Sequence, residues 1–107
     1  MKYLFPFLLL LLLFSCSPRK SDILFSQSED KELKIQVWGE QAFLFEPWKV
    51  FVATDYHLEK DTVSTELHAD AVDSGSVQFF WEGNRICIIH LKHQDGEVSQ
   101  VPIRYRQ

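Results

Sequence analysis

The sequence predicts an all-β domain, a small antiparallel β-sandwich or open barrel of six to seven strands. Three observations carry that expectation. From Leu33 onward apolar and polar residues alternate with period two, the pattern of strands with one buried face. Turn-forming residues recur at short intervals, at Gly39, Gly75, Gly83 and Asp95-Gly96. No segment carries the spacing of a long amphipathic helix.

In chain order, Leu33, Ile35 and Val37 alternate with Lys34, Gln36 and Trp38 as a first strand, and Gly39-Glu40-Gln41 is expected as a turn. Ala42-Phe43-Leu44-Phe45 follows, and Pro47 interrupts before Trp48–Thr54, a run rich in β-formers. The polar stretch Asp55–Asp61 is expected as a loop. Val63, Thr65, Leu67 and Ala69 alternate with Ser64, Glu66 and His68, so residues 61–72 form either a strand or a short helix starting at Asp61. Asp70–Ser76 is a turn, and Val77–Trp81 is a strand. Glu82-Gly83-Asn84 then leads to the apolar strand Ile86–Leu91. Asp95-Gly96 is the strongest hairpin signal, since the pair tolerates the positive φ of a type I′ turn. Val101, Ile103 and Tyr105 form the last strand, and Pro102, lacking a donor, places it at a sheet edge. The strand count makes an immunoglobulin-like arrangement one candidate, although the paired cysteines and central Trp of true immunoglobulin domains are absent.

The N-terminus is of another kind. Residues 1–15 (MKYLFPFLLLLLLFS) carry one charge, Lys2, and Leu4–Phe14 is apolar except for Pro6. A permanent bilayer span needs about 20 apolar residues. This shorter stretch has the dimensions of a signal-peptide core. It ends in Leu13-Phe14-Ser15-Cys16, which resembles the lipobox of bacterial lipoproteins, with Phe14 standing where that family uses smaller residues. The resemblance covers residues 1–17. It implies cleavage between Ser15 and Cys16, a diacylglycerol on the Cys16 thiol and an acyl group on the new amine. Two or three such chains anchor a protein stably where one does not. Ser17, in place of an Asp, implies the outer membrane by the enterobacterial sorting rule. The competing reading is an ordinary signal peptide cut elsewhere, with Cys16 left as a free thiol.

Three segments follow from this: residues 1–15 as signal peptide, 16–32 as lipidated cysteine and flexible tether, and 33–107 as the β-domain. Within the tether, Ile23-Leu24-Phe25 could dock as an edge strand. The chain of 107 residues is too short for a multidomain enzyme. Of its 11 basic residues Lys2 lies in the signal, so the remainder carries 11 − 1 = 10 basic against 15 acidic groups. That net charge of 10 − 15 = −5 argues against nucleic-acid binding, which needs a basic surface to displace counterions.

No catalytic constellation is legible. There is no Ser-His-Asp context, glycine-rich phosphate loop or Cys-x-x-Cys, so no enzyme is expected. Cys87, between Ile86 and Ile88-Ile89, reads as a buried apolar side chain. His57 with Asp55 and Glu59 is a weak candidate for a cation, while His68, His90 and His93 read as surface residues. No cofactor is expected beyond the lipid on Cys16. Trp38 and Phe80 fall on the polar faces of their strands and are candidates for a partner surface. The expected function is therefore a lipid-anchored envelope protein whose β-domain is a binding or accessory module, for a protein or, less favoured, a glycan. One alternative is an inhibitor or immunity-type protein presenting the Asp95-Gly96 hairpin to an envelope enzyme, and another is a weak metal-binding envelope protein using His57 with Asp55 and Glu59.

Overall fold

A computed structural model describes residues 19–43 and 45–106. The expected signal peptide and the Ser15-Cys16 processing site lie outside the described residues. Among the described residues there are eight strands: β1 (Arg19–Lys20), β2 (Leu24–Gln27), β3 (Leu33–Gln41), β4 (Trp48–Tyr56), β5 (Glu59–Leu67), β6 (Val77–Trp81), β7 (Ile86–Lys92) and β8 (Val98–Arg104). All pairings are antiparallel. One sheet runs β3-β4-β5, with β1 and β2 both lying along the outer edge of β3. The other runs β6-β7-β8.

The predicted all-β sandwich is thus the fold observed. The period-two pattern becomes two inner faces. Leu33, Ile35 and Val37 of β3, Trp48, Val50 and Val52 of β4, and Leu67 of β5 are buried, as are Val77, Cys87, Ile89, Leu91 and Ile103 of the second sheet. Val72, from the connection between the sheets, joins the same cluster. Each such side chain contributes about 1.5–3 kcal/mol of burial, so the cluster is the main source of stability.

Several local expectations change. Because each sheet is a meander of consecutive strands, the Greek-key crossing of an immunoglobulin fold is absent among the described residues. Segments β1 and β2 occupy part of the stretch expected as tether, with Leu24 opposite Val37 and Phe25 opposite Gln36. Gly39 is not in a turn but inside β3. A Cβ there would stand 2.5 Å from Val72 Cγ2 and 3.0 Å from Trp48 Cε3, so the glycine marks a close approach rather than a bend.

Asp55–Asp61 is not a loop either. Only His57 and Leu58 separate β4 from β5, and His57 takes a φ of 56°. Polarity misled there because Asp55 and Lys60 face each other on a wet sheet face, where strands also carry charge. Residues 61–67 are strand, with no helix.

The Asp95-Gly96 hairpin forms, but not as a type I′ turn. Gly96 has a φ of 94° while Asp95 is not in the positive-φ region. The Gly96 amide donates to the His93 carbonyl oxygen at 3.0 Å and His93 N–H to that of Glu97 at 2.8 Å, giving a three-residue loop closed by a left-handed glycine. Asp95 Oδ1 accepts the Glu97 amide at 2.9 Å, which holds the Asp in its turn geometry. Among the described residues strand β8 pairs only with β7, the edge position that Pro102 requires.

Candidate interaction surfaces

The sandwich has two ends and two open margins. At one end the β2–β3, β4–β5 and β6–β7 turns meet around Arg85. Its guanidinium, 12% exposed, lies 2.9 Å from Asp30 Oδ2 and 2.6 Å from Glu32 Oε2, and sits 4.8 Å from the Tyr56 ring centroid. The Ser28 hydroxyl donates to Asp30 Oδ1 at 2.5 Å. That bond, with help from the Glu32 amide and Arg85, holds the Asp30 carboxyl below its ordinary value. Tyr105 and Thr54 share a hydrogen bond of 2.7 Å nearby. These contacts join the two sheets, and both carboxylates are engaged by protein groups, so the cluster reads as structural.

At the opposite end lie Arg19, the β3–β4 loop, the connection starting at His68 and the β7–β8 hairpin. Gln94 N–H reaches the His68 carbonyl oxygen at 2.6 Å. His93 Nδ1 accepts the His68 amide at 3.1 Å, so in the neutral imidazole Nε2 carries the proton and donates to Ser99 Oγ at 2.6 Å. Expected as a surface residue, His93 is instead a half-buried brace between two segments.

One margin, between β5 and β8, is a cleft of about 660 Å³. Its walls mix Val52, Val63 and Ile103 with Glu59, Lys60, Asp61 and Arg104. The other margin, between β2 and β6, holds a groove of about 560 Å³ lined by Leu24, Phe25, Val77, Phe79 and Phe80. Trp81 Nε1 donates to Ser26 Oγ at 2.9 Å and pins β6 to β2. Phe25 is 53% exposed and Phe80 46%, so two aromatic rings face water beside two strand edges that are unpaired among the described residues.

Trp38 and Phe80, the residues singled out from the sequence, do not form one patch. Trp38 lies on the outer face of the larger sheet, half-buried and stacked on Phe51 at 5.5 Å. Phe80 belongs to the other sheet, 4.3 Å from the His90 ring. The partner of Phe80 across its groove is Phe25, which the alternation did not reveal because it lies in the presumed tether. Three consecutive apolar residues, Ile23-Leu24-Phe25, are the signal: a strand that buries Leu24 must turn its neighbours outward. The loop aromatics Phe43 and Phe45, 60% and 95% exposed, were also missed.

The weak cation candidates are not gathered. Asp55 stands opposite Lys60 on the outer face, Glu59 lies on the inner-facing row, and His57 Nε2 is 3.6 Å from Glu32 Oε2 instead. Among the described residues no group of three or more His, Cys, Asp or Glu is placed to hold a metal ion. Burial pushes the Cys87 thiol up to about 11, partly offset by a backbone hydrogen bond from Phe80, which keeps it an unreactive thiol at neutral pH. No protein-family model, curated protein or solved structure matches the chain.

Proposed function

We propose that this chain is a lipid-anchored protein of the bacterial cell envelope, held in the outer membrane through acyl chains on Cys16. Its β-domain acts as a binding module that docks an envelope protein in the groove between β2 and β6. The anchor reading rests on Leu13, Ser15 and Cys16 at the end of a short apolar leader.

The docking reading rests on one observation, the exposure of Phe25 and Phe80 on either side of a predominantly apolar groove. Exposed aromatic pairs cost solubility, and aromatic side chains are the residues that dominate binding energy at protein interfaces. The edges of β2 and β6, unpaired among the described residues, add main-chain donors and acceptors that an extended segment of a partner can satisfy.

Site-specific photo-crosslinking in intact cells tests the proposal. A crosslinker at Phe80 should give a discrete adduct with an envelope protein, lost on Phe25→Ser. The same crosslinker at Ser64, on the outer face of β5, should give none. Equal labelling at both positions, or none at Phe80, would count against the groove.

A further inference from the structure

We infer that the β3–β4 loop places Phe43 and Phe45 in the membrane surface beside the lipid anchor, so that the domain stands end-on against the bilayer. The inference rests on the reading of Cys16 as the lipidated residue.

Connectivity sets the distance. Three peptide steps separate Cys16 from Arg19, and a chain spans at most about 3.3–3.6 Å per residue, so Arg19 is held within about 10 Å of the lipidated cysteine. Arg19 pairs with Gln41, the last residue of β3 before the loop. A small cleft of about 330 Å³ is lined by both Arg19 and Phe45, which places the aromatic tip at the point where the chain leaves for its anchor. Whatever else the domain does, this end is the one closest to lipid.

The loop is built for an apolar neighbour. Phe45 is 95% exposed and Phe43 60%. Phe45 also has a φ of 71°, a left-handed conformation that bulky side chains rarely adopt. Two aromatic rings this exposed on one loop fit the boundary between headgroups and acyl chains.

The charges at this end select the lipid. Arg19 and Lys20 are accompanied by Glu40, Glu46 and Asp70, so no net positive field draws the domain to anionic headgroups. The surface it fits is a zwitterionic phospholipid leaflet. Because the strands run from this end to the other, the Phe25–Phe80 groove would then stand along the side of the domain, open to a partner moving in the membrane plane.

The test uses the full chain, expressed with its leader, purified in detergent and reconstituted into phosphatidylcholine vesicles brominated on the acyl chains. Phe45→Trp adds an indole whose emission is read as the difference from the parent, which already holds Trp38, Trp48 and Trp81. The added emission should shift to the blue and be largely lost in brominated vesicles, while it persists in unbrominated ones. Lys60→Trp, at the opposite end of β5, should remain water-exposed and unquenched. An unquenched Phe45→Trp on a protein whose intact mass includes the lipid overturns the insertion and leaves the anchor reading standing, whether the indole is wet or covered by a second copy. An intact mass without lipid removes the anchor reading and the inference with it.

Discussion

Gln41 Nε2 donates to the Glu46 carbonyl oxygen at 2.8 Å, closing the mouth of the β3–β4 loop with a side chain that is only 6% exposed. The same side chain accepts from Arg19 Nη1 at 3.4 Å, so one amide ties the loop to the strand that enters from the anchor side. A buried hydrogen bond of this kind is worth about 1 kcal/mol net, and leaving its carbonyl unpaired costs about 1–3 kcal/mol. Gln41→Leu should therefore lower stability by about 1–2 kcal/mol in urea denaturation and speed exchange of the Ala42, Phe43, Phe45 and Glu46 amides. An unchanged midpoint with unchanged exchange would show that the loop is held by other contacts.

Gly39 predicts a steric effect. An added methyl would overlap Val72 Cγ2 at 2.5 Å, and neither Val72, 4% exposed, nor Trp48 beyond it has free space to retreat into. Overpacking a filled core costs about 1–3 kcal/mol, so Gly39→Ala should be destabilised by that amount. In the double variant Gly39→Ala with Val72→Ala the loss should be smaller than the sum of the two single losses. Strict additivity would contradict the contact.

Acid sensitivity follows from Asp30. Its folded-state value lies below the ordinary 3.8, chiefly through the Ser28 hydroxyl, so the ionised carboxylate favours the folded state. That contribution is complete above the unfolded value and is lost as pH falls below about 4. Carbon-detected titration should find Asp30 below 3.8, moving upward in Ser28→Ala more than in Arg85→Gln. A value unmoved by Ser28→Ala would assign the shift to another group.

Cys87 sets the alkaline limit. Its thiol is raised to about 11 in the folded state against 9.0 when exposed, so the neutral form favours folding. Stability from this group is complete below pH 9 and declines as pH rises toward 11 and beyond. Cys87→Ala should flatten that part of the profile while costing stability at neutral pH through the lost packing. At pH 7.5 the native protein should react with maleimide far more slowly than the urea-unfolded chain, and equal rates would contradict burial.

The larger features were legible in the sequence because they are written in alternation. Leu33-Ile35-Val37 and Trp48-Val50-Val52 face inward as their period requires, and Pro102 marks the edge strand. What was hidden depends on tertiary contact. Gly39 looks like a turn residue until Val72 is seen above it, and Asp55 with Lys60 looks like a loop until the two are paired across a hairpin. The Phe25–Phe80 groove joins residues far apart in sequence, so periodicity on either strand alone could identify one side of it only. Arg85 carried no local signal for its role, because Asp30 and Glu32 reach it from a turn read as tether.

The most direct measurement is the intact mass of the mature protein extracted from the membranes of a bacterial host. The expected species is a chain beginning at Cys16 that carries a diacylglycerol on its thiol and an acyl group on its amine. A mature chain that begins elsewhere, with an unmodified Cys16 or none, would contradict it.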